Sequence, residues 1–131
     1  MLVPKSLCFA LLAAVPCVQA IDDNYWIATD CYVADVTVNG KYVDQNRGLK
    51  YDWQLTEQTC KNNYASEANY DMGSGRCVSV GPNGLNGPQW WKNCQQQALN
   101  GWYDIDRSTG DIVVAHAPYK SNHAEGRGYS A

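Results

Sequence analysis

The chain has 131 residues, and its 13 acidic and 10 basic side chains leave a formal charge of −3. That balance argues against a nucleic-acid partner gripped by a basic surface. The length suits one domain with a modest core.

The first predicted element is a targeting leader over residues 1–20. Lys5 provides a positive n-region, Leu7 to Val15 an apolar h-region, and Val18-Gln19-Ala20 a small-residue cleavage site. A membrane anchor needs ~20 apolar residues, and this run is shorter and broken by Pro16. The protein is therefore expected to be secreted and extracellular, with no membrane partner. Cys8, Cys17 and Phe9 leave with the leader, so the mature core must be built from Val, Ile, Tyr and Trp, which favours strands. Cys31, Cys60, Cys77 and Cys94 remain, an even set in an oxidising compartment, and two disulfides are expected. No C-x-x-C or C-x-x-H pair exists to make a zinc site. Neither a metal nor a cofactor is implied.

The mature chain opens with a short strand at Tyr25-Trp26-Ile27. Next, CYVADVTV, Asn39-Gly40 and KYVDQ read as a hairpin, because a type I′ turn needs φ > 0 at both central positions. A two-residue turn pairs Val38 with Lys41, Thr37 with Tyr42, Val36 with Val43 and Asp35 with Asp44. Tyr32, Ala34, Val36, Val38 and Val43 then share the buried face. After a polar loop around Arg47-Gly48, Thr56 is expected to cap a helix running to Asn69, with Leu55 just outside it and Cys60, Tyr64 and Ala68 as its stripe. Asp71 to Gly75 reads as a turn, and Arg76 to Val80 as a strand.

Pro88 then opens a second helix and Gly101 follows it, the expected asymmetry. Trp91, Cys94 and Ala98 line one face, with Trp90 one step round. A second hairpin joins Trp102–Asp106 to Asp111–Ala115, with Tyr103, Ile105, Ile112 and Val114 facing the core. Residues 118–131 read as a flexible polar tail after a single domain over residues 21–117. The fold class is a small disulfide-stabilised α+β domain, a mainly antiparallel sheet with two helices packed on one face. Cys60 and Cys94 fall on helices and Cys31 and Cys77 on strands, so helix-to-strand bridges are more natural than strand-to-strand ones; sequence alone does not choose among the three pairings that four cysteines allow, and Cys60–Cys77 with Cys31–Cys94 is the one expected.

For chemistry, the acids from Asp104 to Asp111 invite comparison with a calcium loop. The turn glycine falls one residue late, however, and Ala115 stands where the bidentate Glu belongs. His116 and His123 fall at or in the expected tail. Glu57, Glu67, Asp104 and Asp106, with Arg76 as a phosphate clamp, could furnish a ribonuclease or glycan hydrolase. No spacing selects them, and no motif supplies a nucleophile with a held base. No catalytic residue is therefore assigned. The aromatics are more informative. Adjacent Trp90 and Trp91 cannot both face inward on one helix, so one should be partly exposed, either as a stand-in for the missing Phe and Leu with its polar tip at the surface or as a platform for a sugar or a hot spot for a protein. Trp90, Trp91 and Trp53 are the ligand-binding candidates, and a cell-wall glycan or a host or competitor protein the candidate partners. A monomer is expected.

From Cys77 to Asp106 a loop leads into a helix bearing Cys94, then Gly101-Trp102 and a strand. This segment resembles killer-toxin-like and Hce2-type effectors. The leader, the size, the four cysteines and the aromatic richness resemble the small secreted effector candidates of plant-associated fungi. The chain departs from those families in having fewer cysteines and none in its last strand. The resemblance implies virulence-related host interaction or antagonism of competitors, by a toxin-like, non-enzymatic protein. It transfers no residue-level site.

Overall fold

The computed structural model describes residues 24–44 and 48–130. The expected leader lies outside them, as does Arg47. In chain order the elements are β1 (Tyr25–Trp26), β2 (Ala28–Val33), β3 (Val36–Val38), β4 (Lys41–Asp44), β5 (Lys50–Tyr51), α1 (Trp53–Asn63), β6 (Ala68–Asp71) and β7 (Arg76–Ser79). They continue with β8 (Leu85–Asn86), α2 (Gly87–Asn100), β9 (Asp104–Ile105), β10 (Ile112–Val113), β11 (Tyr119–Lys120) and β12 (Ala124–Tyr129). Every paired strand among them is antiparallel. The result is a small α+β domain with two helices on a mainly antiparallel sheet.

The main sheet is centred on β2. β12 runs along one of its edges, β7 and β5 share the other, and β6 lies beyond β7. Cys31 of β2 bonds Cys94 of α2, and Cys77 of β7 bonds Cys60 of α1. Each bridge ties a helix to a strand, as the element types suggest. They close loops of 63 and 17 residues, for which chain entropy gives stabilisation of about 4 and 3 kcal/mol. Leu55, Leu85, Trp90, Trp102, Ala98 and the four bridged cysteines fill the space between sheet and helices.

The first strand run is broken rather than continuous. Asp35 adopts φ 53° and separates β2 from β3. Asn39 and Gly40 take the positive φ of the expected turn, and Val38 pairs Lys41 and Thr37 pairs Tyr42. The register then shifts, so that Val36 faces Asp44 instead of Val43. Val43 is accordingly exposed, and Asp35 does not pair Asp44. One extra residue in a strand turns every later side chain to the opposite face.

α1 starts and ends earlier than expected. Asp52, not Thr56, is its N-cap, with a carboxylate oxygen accepting from Leu55 N–H at 2.8 Å. Thr56 lies inside the helix; its hydroxyl donates to Asp52 O and accepts from Cys31 N–H. The helix ends at Asn63, and Ala68 to Asn69 belong to β6. Cys60, Tyr64 and Ala68 are all buried, but the chain brings Ala68 back by a turn after Tyr64. In the second hairpin Ile105 is buried while Ile112 and Val114 are exposed.

The largest correction concerns residues 118–131. Instead of a flexible tail, Tyr119–Lys120 forms β11 against β3, and Ala124–Tyr129 forms β12 along the full length of β2. Ser121, buried between them, donates its hydroxyl to Ala34 O and accepts from His123 N–H. The polar composition of this stretch conceals a strand because two of its residues, Gly126 and Gly128, have no side chain to display a period.

Candidate functional site

Two surfaces gather chemistry, one on each side of β12. On the helix side, α2 begins at Asn86, whose side chain accepts from Gln89 N–H at 2.8 Å. Its inner stripe is Trp90, Cys94 and Ala98, which corrects the expected stripe led by Trp91. Trp90 is 1 % exposed, and its indole N–H donates to Asp30 O at 2.8 Å. Trp91, a helical step round, is 41 % exposed. Trp90 therefore builds the core and Trp91 is the available platform, the division that helix geometry requires.

Trp91 belongs to a second stripe, Pro88, Trp91, Lys92 and Gln95, spaced i, i+3, i+4 and i+7 on the outer face of α2. Between this stripe and β12 lies a groove of about 830 Å³, lined also by Asn24, Trp26, Thr29, Gly126 and Gly128. The pairing of β1 with β8 and the bond from Gly87 N–H to Asn24 O hold Trp26 in place. Glycine is required at both positions, because a Cβ at Gly128 would lie 2.2 Å from Trp26 Cγ and one at Gly126 2.5 Å from Trp90 Cδ1. The site is concave and aromatic with a few polar groups, the ordinary character of a ligand cleft.

No family model, curated protein or solved structure matches this chain. Its function is therefore argued from its own residues.

The opposite face of the sheet carries an ordered charged cluster. Asp30 is 4 % exposed, and both of its carboxylate oxygens lie within 3.2 Å of the Tyr129 hydroxyl. Arg76 Nε is 3.8 Å away. The Arg76 guanidinium stacks over the Tyr129 ring at 3.5 Å, and that of Arg127 over Tyr32 at 3.8 Å. Burial raises the Asp30 carboxyl above its ordinary value, against the downward pull of the Tyr129 hydroxyl and the two arginines. Burial also pushes up the Tyr129 and Tyr51 phenols. With its carboxylate this deeply buried, Asp30 serves chiefly to position Tyr129 and Arg76. Arg76, weighed from the sequence as a phosphate clamp, is engaged in this cluster.

The other candidates lie apart. Glu57 is buried and pairs Lys61 on α1, while Glu67 is exposed. Asp104 accepts from Gln54 and Tyr119 and sits 3.2 Å from His116 Nε2. Asp106 accepts from Ser108 within the β9–β10 turn. His123 Nδ1 lies 3.5 Å from Asp35. Among the described residues no group of three or more His, Cys, Asp or Glu is arranged to hold a metal. Trp53 is not among the residues lining the groove, and Arg107 stacks on its ring at 4.2 Å. Sequence reasoning missed Trp26 and the two glycines. The available signal was the G-x-G spacing of Gly126 and Gly128, which in a strand marks a close approach by something bulky.

Proposed function

We propose that this chain is a secreted, non-enzymatic binding protein, effector-like or toxin-like, that holds a host or competitor molecule outside the producing cell. The observation that carries the reading is the groove between α2 and β12. Three tryptophans line it, and the one that is exposed stands on a helix bridged to the central strand. Rigid placement of an aromatic anchor in a concavity is how a small protein concentrates binding energy. Two disulfides suit an oxidising compartment, and among the described residues no helix is long and apolar enough to cross a membrane. The likeness of Cys77–Asp106 to killer-toxin-like effectors points the same way.

The test is co-sedimentation and fluorescence titration of the oxidised protein with chitin, β-glucan, cellulose and short peptides, alongside Trp91→Ala. A ligand whose affinity drops about tenfold in the variant, ~1.4 kcal/mol, locates the site. Ligands that bind equally well to both proteins would remove the groove from consideration. A carbohydrate-binding module is the second reading, favoured by the exposed ring of Trp91, and glycan binding lost in the variant would select it.

A further inference from the structure

α2 has a third face. Gln89 and Asn93, one turn apart, belong neither to the inner stripe of Trp90 nor to the outer stripe of Trp91. They line a separate hollow of about 450 Å³, set between the start of α2, the paired β1 and β8, and the turn that follows α1. It shares no lining residue with the groove. The two residues of β1 divide between them, Trp26 to the groove and Tyr25 to the hollow, as the alternation of a strand requires.

A chain of hydrogen bonds fixes one wall. Gln89 Nε2 donates to Asn93 Oδ1 at 3.2 Å, and Asn93 Nδ2 donates to the Tyr64 hydroxyl at 2.8 Å. Tyr64 is 6 % exposed and its ring packs against Trp90, so the chain is anchored in the core. Glu67 is held by its backbone, which donates to Tyr64 O and accepts from Val80 N–H, both at 3.0 Å. Burial raises the Tyr64 phenol above its ordinary value, the Asn93 amide pulls it down, and the Glu67 carboxylate adds to the rise. Asn86 spends its side-chain oxygen on Gln89 N–H. These bonds leave a mixed set of ends. Gln89 Oε1 and the Glu67 carboxylate remain as acceptors, the Asn86 amino group and the Tyr64 O–H as donors, and no described residue bonds them. The Tyr25 ring, 38 % exposed, stands beside them opposite Asn86.

We infer that this hollow is a second binding site, and that it takes a neutral sugar unit. A sugar carries adjacent hydroxyls, each both donor and acceptor, and an aliphatic ring face. Interleaved amide, carboxylate and phenol groups pair the hydroxyls, and the Tyr25 ring covers the aliphatic face. Other ligand classes fit less well. Glu67 is the only charged side chain lining the hollow, so an anion finds no partner and one repulsion. A single carboxylate is too few oxygens for calcium. Leu85 is buried and is the only lining side chain made of hydrocarbon alone, and an apolar ligand would strip water from the amides without replacing it. The inference does not rest on the Trp91 groove.

The experiment titrates the oxidised, isotope-labelled protein with the methyl glycosides of glucose, galactose, mannose, xylose and N-acetylglucosamine. The side-chain amide signals of Asn86, Gln89 and Asn93 are followed by NMR. At least one sugar is expected to move all three along a single saturable curve in the millimolar range. Gln89→Ala and Glu67→Ala, both at exposed positions, should each weaken that sugar about tenfold, ~1.4 kcal/mol. If no sugar moves these signals, or if both variants bind as the parent does, the inference is overturned. Methylammonium shifting them where no sugar does also overturns it, in favour of a cation site. Sugar binding lost in Trp91→Ala but kept in Gln89→Ala overturns it too, while upholding the groove. Sugar held at the hollow with no ligand found for the groove upholds the inference and removes the groove reading.

Discussion

Gln58 of α1 offers a sharp test of how the second hairpin is held. Its amide nitrogen donates to Tyr103 O at 2.7 Å, and its amide oxygen accepts from Tyr103 N–H at 3.0 Å. One side chain thus does for Tyr103 what a neighbouring strand would do. Gln58→Met keeps the shape and removes both bonds, together with a third from the amide nitrogen to Gln54 O within α1. Each backbone group left without a partner away from water costs about 1–3 kcal/mol. Tyr103 is half-buried, so water recovers part of that, and the low end applies: about 2 kcal/mol for the pair. For a domain of this size the melting temperature should fall by about 8 °C, read by circular dichroism on the oxidised protein. Gln58→Glu, which sets a buried carboxylate against Tyr103 O, should fall at least as far. A Gln58→Met midpoint within about 2 °C of the parent would refute the claim that these bonds hold the hairpin.

Trp90→Ala should cost about 3–5 kcal/mol and Trp91→Ala under about 1 kcal/mol in urea titrations; equal losses would contradict the assigned faces. Replacing Cys31 and Cys94 by Ala should destabilise by about 4 kcal/mol, against about 3 for Cys60 with Cys77, and peptide mapping of the parent should recover those two pairs. Gly128→Ala should cost about 1–3 kcal/mol by overpacking, relieved when combined with Trp26→Ala. Burial raises the Asp52 carboxyl above 3.8. The folded state therefore holds that proton more tightly than the unfolded state, and the group's contribution to stability declines as pH rises from 3.8 through the raised value. Asp52→Asn retains a capping oxygen and should show less of that decline; an identical urea-midpoint profile from pH 4 to 7 would argue against a strained carboxylate.

Features that depend on near neighbours in sequence were legible. Asn39-Gly40 must turn, Pro88 and Gly101 bracket α2, and cysteines on helices face cysteines on strands. Trp90 and Trp91 could be divided into one buried and one exposed, but not assigned, because the direction of the core is set by β12. That strand was invisible: its helix-side positions are glycine, and the bulk that covers them comes from Trp26 and Trp90. Tyr64 and Ala68 imitate a helical step because two buried residues four apart look alike whether the chain coils or doubles back. The bulge that exposes Val43 leaves no mark in composition. At the site, Trp91 could be read directly, whereas the groove needs Trp26, α2 and β12 brought together from distant parts of the chain.

β12 also sets an order on folding. The hydroxyls of Tyr32 and Asp30's partner Tyr129 meet across 97 residues, among the widest separations in the domain. Contacts of that span carry the largest loop-closure cost and form late. The hairpin of β6 and β7 with α1, clipped by the short Cys60–Cys77 loop, needs none of them and can assemble first. A chain stopped before β12 would leave β2 bare along one side and Trp90 without its floor, a sticky intermediate.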